Sequence, residues 1–547
     1  MLTADATNAR SADDELTEEY KQQVSMRVAL EAENIRRRAD YQKYDPKEID
    51  TILMKVDPYT YNYTSDDLWN LGLYRIKELM IRTGTAIFYH YDHKKKTKSI
   101  LKPALLSTYF QIKYPIVTIK PETYNQKDTG DMWYYDESTG MYQPNAEIKF
   151  SEEIKQMWRD EFETKLLFQT FENIRYSTYI SREEFTLEPE YIPVQNGILW
   201  VHDLDGEIVI DHVANTSELY VTSRIPHPYD PTAKSPRFEN FLMEILPGQL
   251  DERNWLQEYI GYSLYRSWPH DKVIMLHGEG DNGKSTLLDI IRHLLGEYNC
   301  TTIGLYDLCN GRWYVAEIYL KLANIDADTA SKDLENTSKF KTATGGDRIM
   351  GERKGKHPFF FESYCKHFMS CNKMPYCYDD TDAFYRRWFL IKFFEQFTEK
   401  DPRRDPFIRD KLYKEMPGIL NWALEGLKRL LKNGGFTNPP TTEDIKAQWN
   451  ILSNPLYAFI YSPYVVLDAN GYYPVQNFYE DFLEFAKRNK LVTWTKDKIS
   501  KRMNHHFDFI HQIRPYNPDE PDHRPYCWQG IRMATDEERQ QYLEEFK

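Results

Sequence analysis

The segment DKVIMLHGEGDNGKSTLLDIIRHLLG, residues 271–296, constrains the fold more than any other stretch of the chain. VIML is a short apolar run, the pattern of a buried strand. TLLDIIRHLLG carries an apolar stripe at helical period. Between them GEGDNGKS fits the spacing G-x-x-x-x-G-K-[ST]. A strand, a glycine loop and a helix in that order predict an α/β fold built round a phosphate-binding loop. The glycines let backbone N–H groups approach phosphate oxygens, and the helix N-terminus adds its positive dipole. Lys284 can reach β and γ phosphates, and Ser285 can offer a hydroxyl to Mg²⁺. The residues expected round ATP are Gly278, Glu279, Gly280, Asp281, Asn282, Gly283, Lys284, Ser285 and Thr286.

The segments beyond the loop narrow the chemistry. IYLKLANIDADTA (318–330) starts as an apolar strand and ends in Asp326 and Asp328. A spacing of two places both carboxylates on one face of a strand, near the Mg²⁺ position if the strands are neighbours. RIMGE and FFFES read as two strands with ERKGKH as a basic tip between them. KHFMSCN is another apolar strand, with Asn372 at its end, where an amide can contact the attacking water or the γ phosphate. DAFYRRWFLIKF sets Arg386 and Arg387 before a further strand. An arginine can stabilise a transferring phosphoryl group in its own subunit or a neighbour's. Lys284, Asp326, Asp328, Asn372, Arg386 and Arg387 are therefore the candidate catalytic residues, with Ser285 and Asp328 as metal ligands.

The segments GEGDNGKST, KLANIDAD, TGGD (344–347), FMSCNKMP and YRRWFLIKF resemble the consecutive motifs of superfamily 3 helicases. The nearest group is the poxvirus-type and phage/plasmid primase-helicase C-terminal module. VQNGILWVHD, and the stretch from MWYYDESTGMY onward, resemble the domain before the motor in that family. The resemblance covers about 130 to 510. It implies an AAA-plus-like motor that hydrolyses ATP with Mg²⁺. It also implies a homo-hexameric ring that translocates on single-stranded DNA, typically 3′ to 5′, in a viral or plasmid replication system. By the same resemblance Lys284 and Ser285 are the Walker A residues and Asp328 the main Walker B acid. Asp326 stands where the family often has a non-acidic residue. Asn372 matches sensor 1, and Arg387, ahead of Arg386, matches the finger reaching a neighbouring subunit. Lys356 and His357 match the DNA-tracking hairpin, with Arg353 and Lys354 in the same basic tip. Thr329 follows Asp328 where many motors have Glu, which leaves the general base open.

At 547 residues the chain exceeds one hydrophobic core, so three or four folded units are expected. The expected divisions are a 1–130 region of unassigned role and a 131–268 α+β pre-motor domain, followed by a 269–397 motor. A 398–452 helical segment and linker and a 453–547 winged-helix-like unit complete the chain. Residues 1 to about 45 read as helix or arm, 89–100 as a basic loop, 131–145 as a hairpin and 150–179 as helix. Two Pro-rich stretches, 226–236 and FTNPPTTED, read as linkers, and LVTWT (491–495) as strand-like. A net charge of −14 argues against a nonspecific duplex coat, yet a ring can confine positive charge to its channel. Six cysteines without a CxxC pair fit reduced thiols. No apolar run approaches the ~18 residues of a membrane span. The expected partners are single-stranded and fork DNA and a primase or polymerase in cis or trans. The expected location is intracellular, in the host cytoplasm or a viral replication site. Asp203-x-Asp205 superficially fits a primase acid pair but reads better as an Asp-Gly hairpin, and HYDH (90–93) reads as loop rather than metal site. Two alternatives stand beside the helicase: a DNA-packaging-type ATPase, and an origin-binding protein with a vestigial nucleotide site.

Overall fold

The computed structural model describes residues 61–545, apart from 122–128, 159–163, 355–356, 490, 492, 508 and 516–524. The helix or arm expected over the first 45 residues lies outside the described residues. The chain divides into two units, at 186/187.

In the first unit a helix, Ser65–Thr83, opens on a reciprocal cap. Thr64 Oγ1 accepts from the Asp67 amide, and the Asp67 carboxylate accepts from the Thr64 amide. Strands β1 (Tyr89–Asp92) and β2 (Thr97–Leu101) pair antiparallel, so the stretch expected as a loop is a hairpin with lysines at its tip. A helix, Pro103–Lys113, leads to β3 (Ile116–Ile119), β4 (Asp131–Asp136) and β5 (Met141–Gln143). Helices Ala146–Trp158 and Thr164–Thr178 follow, then β6 (Tyr179–Ile180), where one helix from 150 was expected. The sheet order is β5-β4-β3-β6, packed on a core that includes Phe110, Met132, Phe150 and Ile174. A boundary at 130 is wrong. It falls between β3 and β4, which pair with Val117 opposite Trp133.

The second unit opens on an antiparallel sheet of β7 (Tyr191–Val194), β8 (Gly197–Leu204) and β9 (Glu207–Val213). Asp205 and Gly206 turn the β8–β9 hairpin at φ 55° and 83°, and Asp203 Oδ1 accepts from the Gly206 amide at 2.8 Å. Helices Pro236–Ile245 and Leu250–Leu264 lead into β10 (Val273–His277) and the helix Lys284–Leu295. Then come β11 (Cys300–Thr301), helix Leu305–Asn310, β12 (Ala323–Asp326) and helix Ser338–Ala343. Strands β13 (Arg348–Gly351) and β14 (Phe359–Glu362) form their own antiparallel hairpin. Strands β15 (Lys366–Cys371) and β16 (Trp388–Lys392) complete a five-stranded sheet, all parallel, in the order β11-β12-β15-β10-β16. Alternation along β10 sends Ile274 and Leu276 into one core and Val273 and Met275 into the other. The sheet is thus buried on both faces, which is why its strands read as unbroken apolar runs.

Helices Ile408–Tyr413 and Met416–Asn433 follow, the second ended by Gly434 in the left-handed region. The expected linker after it is a strap. Phe436 is buried in the core. Buried Glu258 holds the Thr437 amide at 2.9 Å and the Arg429 guanidinium at 2.7 Å. The 226–236 stretch is held too, with Asn421 Nδ2 donating to the carbonyls of Asp230 and Ala233. Helices Thr442–Ser453 and Pro455–Ile460 lead to β17 (Val465–Pro474), helices Val475–Arg488 and Lys496–His506, β18 (His511–Ile513), β19 (Cys527–Met533) and helix Asp536–Glu545. The last three strands form an antiparallel sheet in the order β17-β19-β18. LVTWT contains no described strand. Its described residues lie between two helices, and Trp494 enters the core beneath them with Leu491 packed against it.

Candidate functional site

At the carboxyl end of β10 the chain enters the glycine loop and then the helix that Lys284 opens. Gly283 sits at φ 89°, and a Cβ there would stand 2.6 Å from Ile245 Cγ2. A Cβ on Gly278 would meet Asn282 Nδ2 at 2.5 Å and the Phe393 carbonyl oxygen at 2.7 Å. The loop is therefore pressed against its surroundings and tolerates no side chain at either point. Lys284 is buried, and its Nζ donates to Gly278 O (2.7 Å), Glu279 O (2.9 Å), Asn282 Oδ1 (3.1 Å) and Asn372 Oδ1 (3.3 Å). Burial lowers the Lys284 pKa, against the opposing pull of Cys371 and Asp328 nearby. Asn282 Nδ2 is buried without a partner among the described residues. Ser285 is exposed on the first helical turn, Thr286 is half-buried, and Gly280 is open to added volume. Asp281 is at φ 58°, and its carbonyl accepts from the Phe397 amide at 2.6 Å.

Strand order decides what meets the loop. β15 lies directly beside β10, with Cys371 opposite His277, so Asn372 emerges next to Gly278. β12 is one strand further out, with Asp326 opposite Met369. The expectation that Asp326 and Asp328 share a strand face does not hold. β12 ends at Asp326, and the chain bends so that the Thr329 amide donates to Ser370 O at 2.7 Å. Thr329 Oγ1 then donates to Asp326 Oδ2 at 2.6 Å. Burial raises the pKa of half-buried Asp326, whereas Asp328 is exposed on the bend. Thr329 thus fixes the inner carboxylate, which a Glu there, ionised and without a donor, could not do.

Both arginines lie at the amino end of β16, the strand beside β10, while the loop leaves the carboxyl end of β10. Trp388 pairs with Val273, the first residue of β10, so Arg386 and Arg387 are a full strand from the loop, roughly 16 Å at the usual rise. Arg387 is buried. It donates to Thr344 Oγ1 (3.0 Å), Lys341 O (3.3 Å) and Ala383 O, with Asp271 Oδ2 at 3.6 Å. Arg386 is the exposed one of the pair, with its side chain 55% accessible and touching Asp271 Oδ2 at 3.1 Å. Neither reaches the loop of its own chain.

The β13–β14 hairpin carries the basic tip. Arg353 lies over the Phe359 ring at 5.0 Å, and Lys354 and His357 are exposed. Lys356 lies outside the described residues. Sequence reasoning missed Lys366. This ammonium, buried at the start of β15, donates to the carbonyls of Tyr265 (2.7 Å), Ser267 (2.6 Å) and Tyr364 (2.9 Å), and lies 3.9 Å from the centroid of the Tyr262 ring. It pins the strand that ends at Asn372. A lysine heading an apolar strand was its only signal. Among the described residues no group of His, Cys, Asp and Glu is placed to hold a metal ion, HYDH included. All six cysteines are free, and no described helix is long and apolar enough to cross a membrane.

Known proteins resemble parts of this chain. Residues 77–247 match the family described as D5 N terminal like, and residues 276–387 match a family of unknown function (DUF5906). A 168-residue stretch is 29% identical to the putative helicase L207/L206 of Acanthamoeba polyphaga mimivirus, covering 29% of this chain and 17% of that protein. The chain thus matches about a sixth of that relative's length. Two solved structures of the NrS-1 C-terminal region, both apo, align with 79% of this chain. One, the A form, has TM-score 0.43 at 10% identity over 100% of its own length, and the other 0.40 at 11% over 99%.

Proposed function

We propose that this chain is an ATP-driven DNA helicase of a viral or plasmid replication system, with an AAA-plus-like motor of the superfamily 3 type. One observation carries the reading. The Lys284 ammonium at the mouth of a glycine loop is hydrogen-bonded to Asn372, the first residue past the neighbouring strand. Matches to the D5 N terminal like family and to a stretch of a putative viral helicase support it.

The residues fit a triphosphate and its cation. Lys284 rests on loop carbonyls that it can exchange for phosphate oxygens, and Asn282 Nδ2 is a buried donor without a partner among the described residues. The helix N-terminus at Lys284 favours the same anion. Ser285 and Asp328 would hold the accompanying Mg²⁺, which neutralises phosphate charge when bound. Asn372 orients the γ-phosphate region or the attacking water. Because both arginines face away from their own loop, the finger acts between subunits of a ring, proposed to be a hexamer. Exposed Arg386 serves that role better than Arg387, which is tied into its own chain. The hairpin tips of successive subunits grip the phosphates of one strand, moving 3′ to 5′. A primase or polymerase, in cis or trans, would act on the unwound strand inside the infected or host cell.

The deciding experiment measures ATP hydrolysis with and without single-stranded DNA, and displacement of a labelled strand from duplexes with 3′ or 5′ tails. Strand-stimulated hydrolysis with displacement from 3′-tailed duplexes is expected. Hydrolysis without any displacement would favour a packaging-type ATPase, and no hydrolysis a vestigial site.

A further inference from the structure

In the C-terminal residues two successive helices, Val475–Arg488 and Lys496–His506, share one core with a three-stranded antiparallel sheet, β17-β19-β18, in the helix-pair-and-sheet order of a winged helix-turn-helix. The second helix is firmly seated. Thr495 caps it by accepting from the Lys498 amide, and Ile499, Met503 and Phe507 enter a core shared with Phe478 and Phe482. Its opposite face shows Asp497, Lys498 and Lys501 to solvent. Residues 487–502 hold seven Lys or Arg against the single acid Asp497, in a chain whose net charge is −14. Lys498 lies over the Trp494 ring at 4.6 Å, and among the described residues neither Lys498 nor Lys501 has a carboxylate partner.

Arg502, on the flank of the same helix, fixes its direction. The guanidinium sits 4.0 Å from the Tyr376 ring centroid and 4.7 Å from that of Tyr378, and donates to Tyr378 Oη at 2.8 Å. Both tyrosines belong to the motor, a few residues beyond Asn372. The helix is therefore clamped on one flank to the motor while its lysines point outward.

We propose that the helix Lys496–His506 binds duplex DNA in the major groove, independently of the strand held by the hairpin tips. A helix with side chains is about 10–12 Å across, and the major groove is about 12 Å wide. The second helix of a helix-turn-helix is the element that enters it. A single-strand site uses exposed aromatic rings as stacking platforms, and the described residues of this face offer lysines and an aspartate instead. Lysines contact phosphates without the forked geometry that reads a base, so the binding is sequence-independent. It would hold the duplex beside the motor.

The test uses the full chain with Lys498→Glu and Lys501→Glu together. Anisotropy is followed on a short blunt duplex and on an oligo-dT of equal length, at stepped salt. Duplex affinity should fall by roughly tenfold or more, and the log–log salt slope by about two, one for each lost phosphate contact. Oligo-dT binding and strand-stimulated hydrolysis should stay within about twofold, since both are assigned to other residues. Lys498→Gln with Lys501→Gln, checked by thermal melting, repeats the test without charge reversal if the first pair fails to fold. Unchanged duplex affinity, an equal loss on both DNAs, or a wild-type chain that binds only single strands would each overturn the proposal. The last result leaves the motor reading intact. Duplex binding lost in the variant of a chain that never hydrolyses ATP would instead support this proposal while overturning the motor reading.

Discussion

Asn372 Oδ1 accepts a hydrogen bond from Lys284 Nζ at 3.3 Å, joining the end of one strand to the first residue of the helix beyond its neighbour. Eighty-eight residues of sequence separate the two. The contact exists because β15 is inserted between β10 and β12. An amide therefore meets the loop directly, while the acids stand one strand away.

Lys284→Ala should lower ATP turnover by about a hundredfold or more, the scale of losing one preorganised charge in a transition state. The helix behind it buries Leu287, Ile290, Ile291 and Leu294, so the fold should persist. Circular dichroism beside a phosphate-release assay checks both parts. Turnover within a few-fold of wild type would remove the loop from the chemistry.

The two arginines should separate cleanly. Arg387→Ala strands the groups that Arg387 now pairs and should cost roughly 2–4 kcal/mol of stability, visible as a lower melting temperature. Arg386→Ala should leave melting unchanged and collapse turnover. Mixing it with Lys284→Ala subunits should restore part of the activity, because intact Arg386 and intact Lys284 then meet across a subunit boundary. Mixed rings without recovery would exclude Arg386 as the finger.

Neutralising the hairpin tip, with Lys354 and Lys356 both changed to Ala, should weaken single-strand binding and flatten its salt dependence by up to about two phosphate contacts. Basal hydrolysis should survive, since the tip belongs to a separate hairpin. Unwinding at the wild-type rate with an unchanged slope would place the strand elsewhere.

Acid should destabilise the second unit through two histidines, half-buried His277 and fully buried His367. Burial, helped by Lys284 and Lys392, brings His277 down to about 4, and burial beside Lys366 brings His367 down to about 3. Unfolded, each titrates near 6.5. The unfolded chain therefore binds protons that the folded chain refuses. Their contribution is complete above that value and declines as the pH falls toward 4. Each should cost about 2 kcal/mol between about pH 7 and pH 5. Melting followed across that range checks it, and His367→Asn should make the slope shallower. An unchanged slope would show that His367 is not held neutral.

The loop, its strand and helix, the hairpin and the strand ending at Asn372 were legible because each arises from local pattern. Chain geometry beyond the local pattern was not. The period of two that placed Asp326 and Asp328 together assumes a strand continuing past 326. A tertiary hydrogen bond from the Thr329 amide to Ser370 ends it there. The doublet Arg386-Arg387 gives no hint that one is buried and the other exposed. That difference arises from Thr344, Lys341 and Asp271, brought in from distant sequence. LVTWT has the β-branched and aromatic content of a strand, but Leu491 and Trp494 pack into a core shared with the helices on either side. The cut at 130 followed the start of the family resemblance, and it failed because β4 beyond it pairs with β3 before it.

Glu258→Leu removes the buried carboxylate that half-buried Arg429 and Thr437 share, and should cost roughly 1–3 kcal/mol, read as a fall in the melting temperature. A loss below about 1 kcal/mol would show that solvent already satisfies those partners.

The strap held by that carboxylate has a consequence for proteolysis. By composition FTNPPTTED is the obvious place to nick the chain. A protease must draw several residues of extended backbone into its cleft. Here Phe436 is sunk in the core, the Thr437 amide is held by Glu258, and its carbonyl accepts from Trp255 Nε1 at 2.8 Å. At Phe436 and Thr437 the segment is therefore shut to digestion while the motor remains folded, and cleavage at those two residues reports the loosening of the motor core itself.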